Sequence, residues 1–143
     1  MILGFTGTRR GMTVAQKQAF VQALSRFPVP PHEFHHGDCR GADAEAFALL
    51  ERALGKRCET FAHPSILLSD RAYTNSDNIY SPRPPLERNE IIIRICDILV
   101  AAPGEVNELL RSGTWSTVRY ARKRARYTIL IYPNGETLEE HKP

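Results

Sequence analysis

Short apolar runs alternate with segments of helical period along almost the whole chain, and this order narrows the fold more than any other feature. Ile2 to Thr6 is an apolar run closed by Gly7, the pattern of a strand buried on both faces. Thr13-Val14-Ala15-Gln16 reads as a capping box, and Ala15, Ala19, Ala23 and Phe27 recur at i, i+4 with Phe20 and Leu24 alongside. The spacing therefore predicts a helix to about Phe27, stopped by Pro28, Pro30 and Pro31. Glu33 to His36 takes a strand position between that stop and Gly37. From Gly41 a second helix carries Ala46, Phe47, Leu50, Ala53 and Leu54 on one face and ends at Gly55. Arg57 to Phe61 is the third strand. Leu86 to Cys96 is a helix that Ile91, Ile92, Ile93 and Ile95 make apolar nearly all round, which predicts a buried element. Asp97 to Ala102 is a strand, Gly113-Thr114 opens a helix to about Arg126, and Thr128 to Tyr132 is the last strand. Pro133-Asn134-Gly135 closes it as a turn, and the polar tail beyond reads as frayed.

The order β-α-β-α-β, a long connection, then α-β-α-β predicts an α/β fold. Its expected form is a Rossmann-like three-layer α/β/α arrangement with a mainly parallel sheet of about five strands and right-handed crossovers. In such sheets ligands bind beyond the carboxyl ends of the strands, where the strand order switches. The 143 residues suit one domain, 1–143. The connection from His63 to Pro85 has no period and holds Pro64, Pro82, Pro84 and Pro85. A stretch of that length is either a lid or binding loop, or a flexible insertion.

Composition removes several classes. Hydrophobic residues at 42% and charged residues at 24% allow a real core and argue against disorder. No apolar run reaches the roughly 18 to 20 residues of a membrane span. No basic region precedes Met1-Ile2-Leu3-Gly4-Phe5, so the start reads as a strand instead of a leader, and a cytoplasmic location is expected. Three cysteines, Cys39, Cys58 and Cys96, lack paired spacing and predict reduced thiols. Net charge is +3, with much of the excess between Arg119 and Arg126. Such a run suits a helix end, with nucleic acid as the less favoured partner.

Glycines and small polar residues cluster after the predicted strands. These clusters are Thr6-Gly7-Thr8-Arg9-Arg10-Gly11, Gly37-Asp38-Cys39-Arg40-Gly41-Ala42-Asp43 and Ser112-Gly113-Thr114. Glycine lets a phosphate approach the backbone, helix N-termini aim N–H groups at it, and Arg9 and Arg40 add charge. The first loop lacks the G-x-G-x-x-G spacing and no G-x-x-x-x-G-K-[ST] loop occurs, so no cofactor is expected. His32, His35, His36 and Cys39 do not predict a metal, because adjacent histidines on a strand face opposite sides. No Ser-His-Asp or Cys-His arrangement emerges. Arg88-Asn89 heads the apolar helix, where its guanidinium faces the strand ends or solvent.

Taken together, these blocks resemble the SLOG superfamily, which includes the LOG phosphoribohydrolases and the DNA-processing protein A family. Gly4-Phe5-Thr6-Gly7-Thr8-Arg9 is similar to the first strand and G-[ST]-R loop, and His36-Gly37-Asp38-Cys39-Arg40-Gly41-Ala42-Asp43 to the G-G-A-x-G-[AI]-D block. Arg88-Asn89-Glu90-Ile91-Ile92 with Asp97-Ile98-Leu99-Val100 resembles the R-N-x-x-[IM] helix and D-x-[LV]-[VI] strand. Ser112 to Thr117 with Ala121 resembles S-G-[TS]-x-x-T-x-x-A. The resemblance covers Ile2 to Pro133, apart from the segment between Pro64 and Pro84. It implies a phosphate on Gly113, Thr114 and Thr117, flanked by Thr8 and Arg9, with Gly37, Gly41 and Asp43 opposite and Arg88 facing ribose or phosphate. It also implies a homodimer paired through helices.

The phosphoribohydrolases carry P-G-G-x-G-T-x-x-E, and here Thr117 stands where its Glu belongs. A catalyst would need a substitute, with Asp43, Arg88 and Glu90 as the candidates. The leading expectation is therefore binding of a nucleotide or nucleotide-derived small molecule, such as an ADP-ribose-like signal or a nucleoside phosphate. The site residues are Gly7, Thr8, Arg9, Gly37, Arg40, Gly41, Asp43, Arg88, Asn89, Ser112, Gly113, Thr114 and Thr117. Hydrolysis of an N-glycosidic or phosphoribosyl bond and single-stranded nucleic-acid binding are the alternatives.

Overall fold

The computed structural model describes residues 1–143. Its elements follow in the order β1 (Ile2–Gly7), α1 (Val14–Arg26), β2 (Glu33–His36), α2 (Ala42–Leu54), β3 (Glu59–Ala62), β4 (Asn78–Ile79), α3 (Pro85–Ile95), β5 (Ile98–Ala102), α4 (Gly113–Lys123), β6 (Tyr127–Ile131) and β7 (Thr137–Glu140). The strands form one sheet in the order β4-β3-β2-β1-β5-β6-β7. All pairs are parallel except β6 with β7. The apolar run that opens the chain thus becomes the central strand. β1 meets β5 over five positions, from Leu3 opposite Ile98 to Gly7 opposite Ala102, and meets β2 from Ile2 opposite Glu33.

The period of two along each strand divides the core into two layers. Leu3, Phe5, Phe34, Val100, Ala102, Ile129 and Ile131 face α1 and α2, packing with Phe20, Leu24, Phe47 and Leu50. Leu99, Ala101 and Leu130 face the other way, onto Ile93 of α3 and Trp115, Val118 and Ala121 of α4. The result is the three-layer α/β/α arrangement. Each fully buried Leu, Ile or Phe contributes about 1.5–3 kcal/mol. The capping box starts α1 as expected: Thr13 Oγ1 accepts from Gln16 N–H at 3.0 Å, and Gln16 Oε1 accepts from Thr13 N–H at 3.0 Å.

The sheet has seven strands where about five were expected. Both extra strands come from segments read as irregular. The tail returns as β7, with Leu138 opposite Leu130 on β6. Backbone pairing drives this, because β7 is exposed and little apolar surface is covered. The connection after β3 contains β4, a 3-10 turn at Leu68–Asp70, and isolated bridges Cys39–Arg71 and Ser65–Arg83. Buried Asp38 organises it. Its Oδ1 accepts from Thr74 N–H and Thr74 Oγ1, both at 2.9 Å, and its Oδ2 faces the Arg71 guanidinium at 3.4 Å. Helix α3 is less buried than its composition predicts. Ile92 and Ile93 are buried, but Ile91 and Ile95 are half-buried and line a side hollow with His63, Tyr80 and Arg83. Boundaries also move: β3 starts at Glu59 after a 3-10 turn at Gly55–Arg57, and α4 ends at Lys123, so Arg124 to Arg126 lie in the turn beyond it.

Candidate functional site

From β1 the chain builds outward through β2, β3 and β4, then returns to the other side of β1 as β5. The loops after β1 and β5 diverge there, leaving a crevice at the carboxyl ends of the strands. A cavity of about 480 Å³ occupies it, within the ~300–1,000 Å³ common for small-molecule sites. Gly7, Thr8 and Arg9 reach it from the first loop, and Gly37 and Asp43 from the stretch between β2 and α2. Arg88 and Asn89 come from α3, and Ser112, Gly113 and Thr114 from the start of α4. Arg40, Gly41, Glu90 and Thr117 do not line it. Sequence reasoning missed Asp70, Glu105 and Arg111, which do, as does Arg10 of the first glycine cluster. Arg111 was legible as the neighbour of Ser112. Asp70 and Glu105 sit in loops without period, and nothing local marks them.

Helices α2, α3 and α4 all begin at this edge, and the starts of α2 and α4 are used differently. At α2, Ala42 N–H donates to Thr8 O at 3.0 Å. Gly41 has φ 86°, and a Cβ there would stand 2.3 Å from Arg9 O. The first loop is thus docked onto the start of α2, and Gly41 serves that contact. At α4, Ser112 Oγ accepts from Trp115 N–H at 3.2 Å and caps the helix. The N–H groups of Gly113 and Thr114 have no acceptor in the protein, and nothing lies within 4 Å of where a Gly113 Cβ would be. Free donors at the positive end of a helix dipole favour an anion. Thr117 takes no part: its hydroxyl donates to Gly113 O at 2.8 Å, and it lines a separate hollow between α3 and α4 with Asn89 and Glu90.

Charge is divided around the cavity. Arg9 pairs with Asp70 at 2.6 Å and Arg10 with Glu105, while exposed Arg111 has no acidic partner within reach. Arg88 is buried, and its guanidinium donates to Gly37 O, to His63 O at 3.0 Å and to Cys39 Sγ at 3.6 Å. Asp43 is 5% exposed. Its Oδ2 accepts from Cys39 N–H at 3.2 Å, and its Oδ1 has no partner. Burial pushes the Asp43 carboxyl up to about 6, against the pull of Arg88. Burial and Asp43 push the Cys39 thiol up to about 11, which favours the protonated thiol at neutral pH.

The histidines are held by other partners. His35 Nδ1 meets His63 Nε2 at 2.8 Å and its Nε2 meets Glu33 at 2.8 Å. His36 Nδ1 accepts from Asp38 N–H at 3.0 Å, so its Nε2–H donates to Ser76 Oγ at 2.9 Å. Burial lowers all three, His36 to about 4 and His63 to about 3. No three His, Cys, Asp or Glu side chains converge as a metal set would. The basic run is partly neutralised: Arg119 and Arg122 both face Glu108, and Arg122 also binds Glu140 at 3.0 Å. No helix is long and apolar enough to cross a membrane.

No protein-family model matches the chain, and no curated protein sequence matches it. Among solved structures it is similar to the molybdenum cofactor binding protein from the phototrophic bacterium Rippkaea orientalis. The identity is 20% and the TM-score 0.66, over 92% of this chain and 76% of that one. At that identity the likeness is one of fold, and it agrees with the Rossmann-like architecture.

Proposed function

We propose that the chain binds a nucleotide or nucleotide-derived small molecule, of nucleoside phosphate or ADP-ribose type, with a phosphate on the start of α4. The observation that carries this reading is the open pair of N–H donors at Gly113 and Thr114, on the wall of a cavity at the strand-order switch point. Arg111 beside it adds an uncommitted charge. The four sequence blocks resembling SLOG proteins support the same reading, as does the likeness of fold to a molybdenum cofactor binding protein. A second reading, cleavage of an N-glycosidic bond, is favoured by one feature. Asp43 is a cavity carboxyl that burial pushes up to about 6, which suits general acid–base work. Binding of single-stranded nucleic acid is weaker, because Glu108 and Glu140 engage two of its cations.

The test is thermal unfolding with AMP, ADP-ribose or NAD, with product analysis of the same mixtures. A ligand at a hundred times its Kd stabilises by about 2.7 kcal/mol. Gly113→Asp keeps the fold, since its side chain meets open space and an acid in the first turn suits the helix dipole. The variant should bind at least tenfold more weakly. Stabilisation by an oligonucleotide but by no nucleotide would overturn the reading, and release of free base would move it to the hydrolase.

A further inference from the structure

His63 is held by one ring nitrogen and leaves the other free. Its Nε2 meets His35 Nδ1 at 2.8 Å, and His35 Nε2 meets Glu33 Oε1 at 2.8 Å. Burial lowers both imidazoles, so both are neutral at neutral pH. A neutral imidazole has one N–H and one bare nitrogen. The Glu33 carboxylate accepts from His35 Nε2–H, so His35 Nδ1 is an acceptor and His63 Nε2–H donates to it. His63 Nδ1 is therefore a bare lone pair. No protein donor reaches it, and unlike Asp43 Oδ1 it is not sealed from solvent. The residue is only 4% exposed, and the surface it keeps lines the side hollow beneath α3.

We propose that this hollow is a second binding site, for a small neutral aromatic molecule that donates an N–H or O–H from its ring edge to His63 Nδ1. The hollow is apart from the cavity at the strand ends, and Arg88 alone lines both. It measures about 240 Å³. That exceeds the ~150 Å³ that holds a benzene ring and falls short of the ~300 Å³ at which sites for drug-sized ligands begin. Pro64, Tyr80, Ile91 and Ile95 supply apolar walls. Ile91 and Ile95 stand one turn apart on α3, and the protein leaves both half-buried. Tyr80 stacks on the His63 ring with centroids 4.5 Å apart, and flat rings suit an aromatic ligand. Charge keeps the donor neutral. Arg88 is buried and bonded to carbonyls and a thiol, with no carboxylate on it, so it disfavours an ammonium group. Arg83 is already held by Glu87 at 2.7 Å.

The experiment compares indole with benzofuran, a ring of the same shape in which oxygen replaces the N–H. Calorimetry on the wild type at pH 7.5 should show indole bound about tenfold more tightly. His63→Phe keeps a ring beside Tyr80 and drops both nitrogens. In that variant, with folding checked by its unliganded melting temperature, the two compounds should bind alike. Nitrogen NMR of isotope-labelled histidine in the wild type gives a readout that needs no variant. His63 should be the Nε2–H tautomer, and indole should shift its Nδ1 resonance upfield several-fold more than benzofuran does. An Nδ1–H tautomer at His63, equal binding of the two rings, or no binding of indole overturns the proposal. So does indole bound without that shift, or a preference for indole that survives in a folded His63→Phe. Each of these outcomes leaves the phosphate reading at α4 to its own test.

Discussion

At the scale of single residues, similar glycines do different work, and the backbone decides which. Gly41 and Gly113 both open helices behind a strand. Gly41 has φ 86° and sits against Arg9 O, so it holds two loops together. Gly113 has open space beside it and leaves a helix end free. Gly41→Ala is expected to destabilise the fold by ~2–4 kcal/mol through backbone strain and a clash. Gly113→Ala should change stability by less than ~1 kcal/mol. Urea unfolding of the two variants side by side checks both. Asp43 shows the same dependence on context. A residue that could simply start a helix becomes a carboxyl with one oxygen unpaired, because Gly37 lets Arg88 and α2 approach closely.

At the scale of elements, the connection between β3 and α3 is held in place by polar contacts. Its apolar residues Ile66, Leu67, Leu68 and Ile79 stay exposed, and its ordering comes from Asp38, the two bridges and Thr60 against Asp77. Asp38→Ala leaves Thr74 and Arg71 without their acceptor, and it should cost ~2–4 kcal/mol. Limited proteolysis should then cut between residues 63 and 85, where the wild type resists. An unchanged digestion pattern would mean that the bridges alone hold the segment. This connection also brings Leu67 and Asp70 to the cavity, which links its order to the site.

At the scale of the whole molecule, buried titratable groups set the response to acid. The unfolded chain protonates its histidines near 6.5, whereas native His36 waits until about 4 and native His63 until about 3. At pH 5 the unfolded state therefore binds more protons at both, and His35 shifts the same way. Asp43 acts oppositely, because its native carboxyl holds a proton up to about 6 against 3.8 unfolded. The histidines outweigh it. Stability should fall as pH drops from about 6.5 towards 4, by on the order of 1 kcal/mol per pH unit. Denaturant unfolding at pH 7, 6 and 5 measures the slope. A stability that rises towards pH 5 would show that these rings are charged in the native state.

The sequence by itself determined the alternation of strands and helices, the three-layer arrangement and the edge of the sheet where the cavity lies, because periodicity and turn residues are local signals. The order of elements also placed Gly7, Gly37 and Gly113 at one edge, while for Arg88 it left the strand ends and solvent both open. Tertiary structure decided what pairing between distant segments controls. β4 and β7 form because the neighbouring strands offer free backbone edges, and their own residues hardly announce them. Thr117 turns its hydroxyl into its own helix, away from the cavity. Asp70 and Glu105 reach the site from loops that only the fold positions. The difference between the starts of α2 and α4 was likewise a tertiary outcome, since the first loop covers α2 and leaves α4 free.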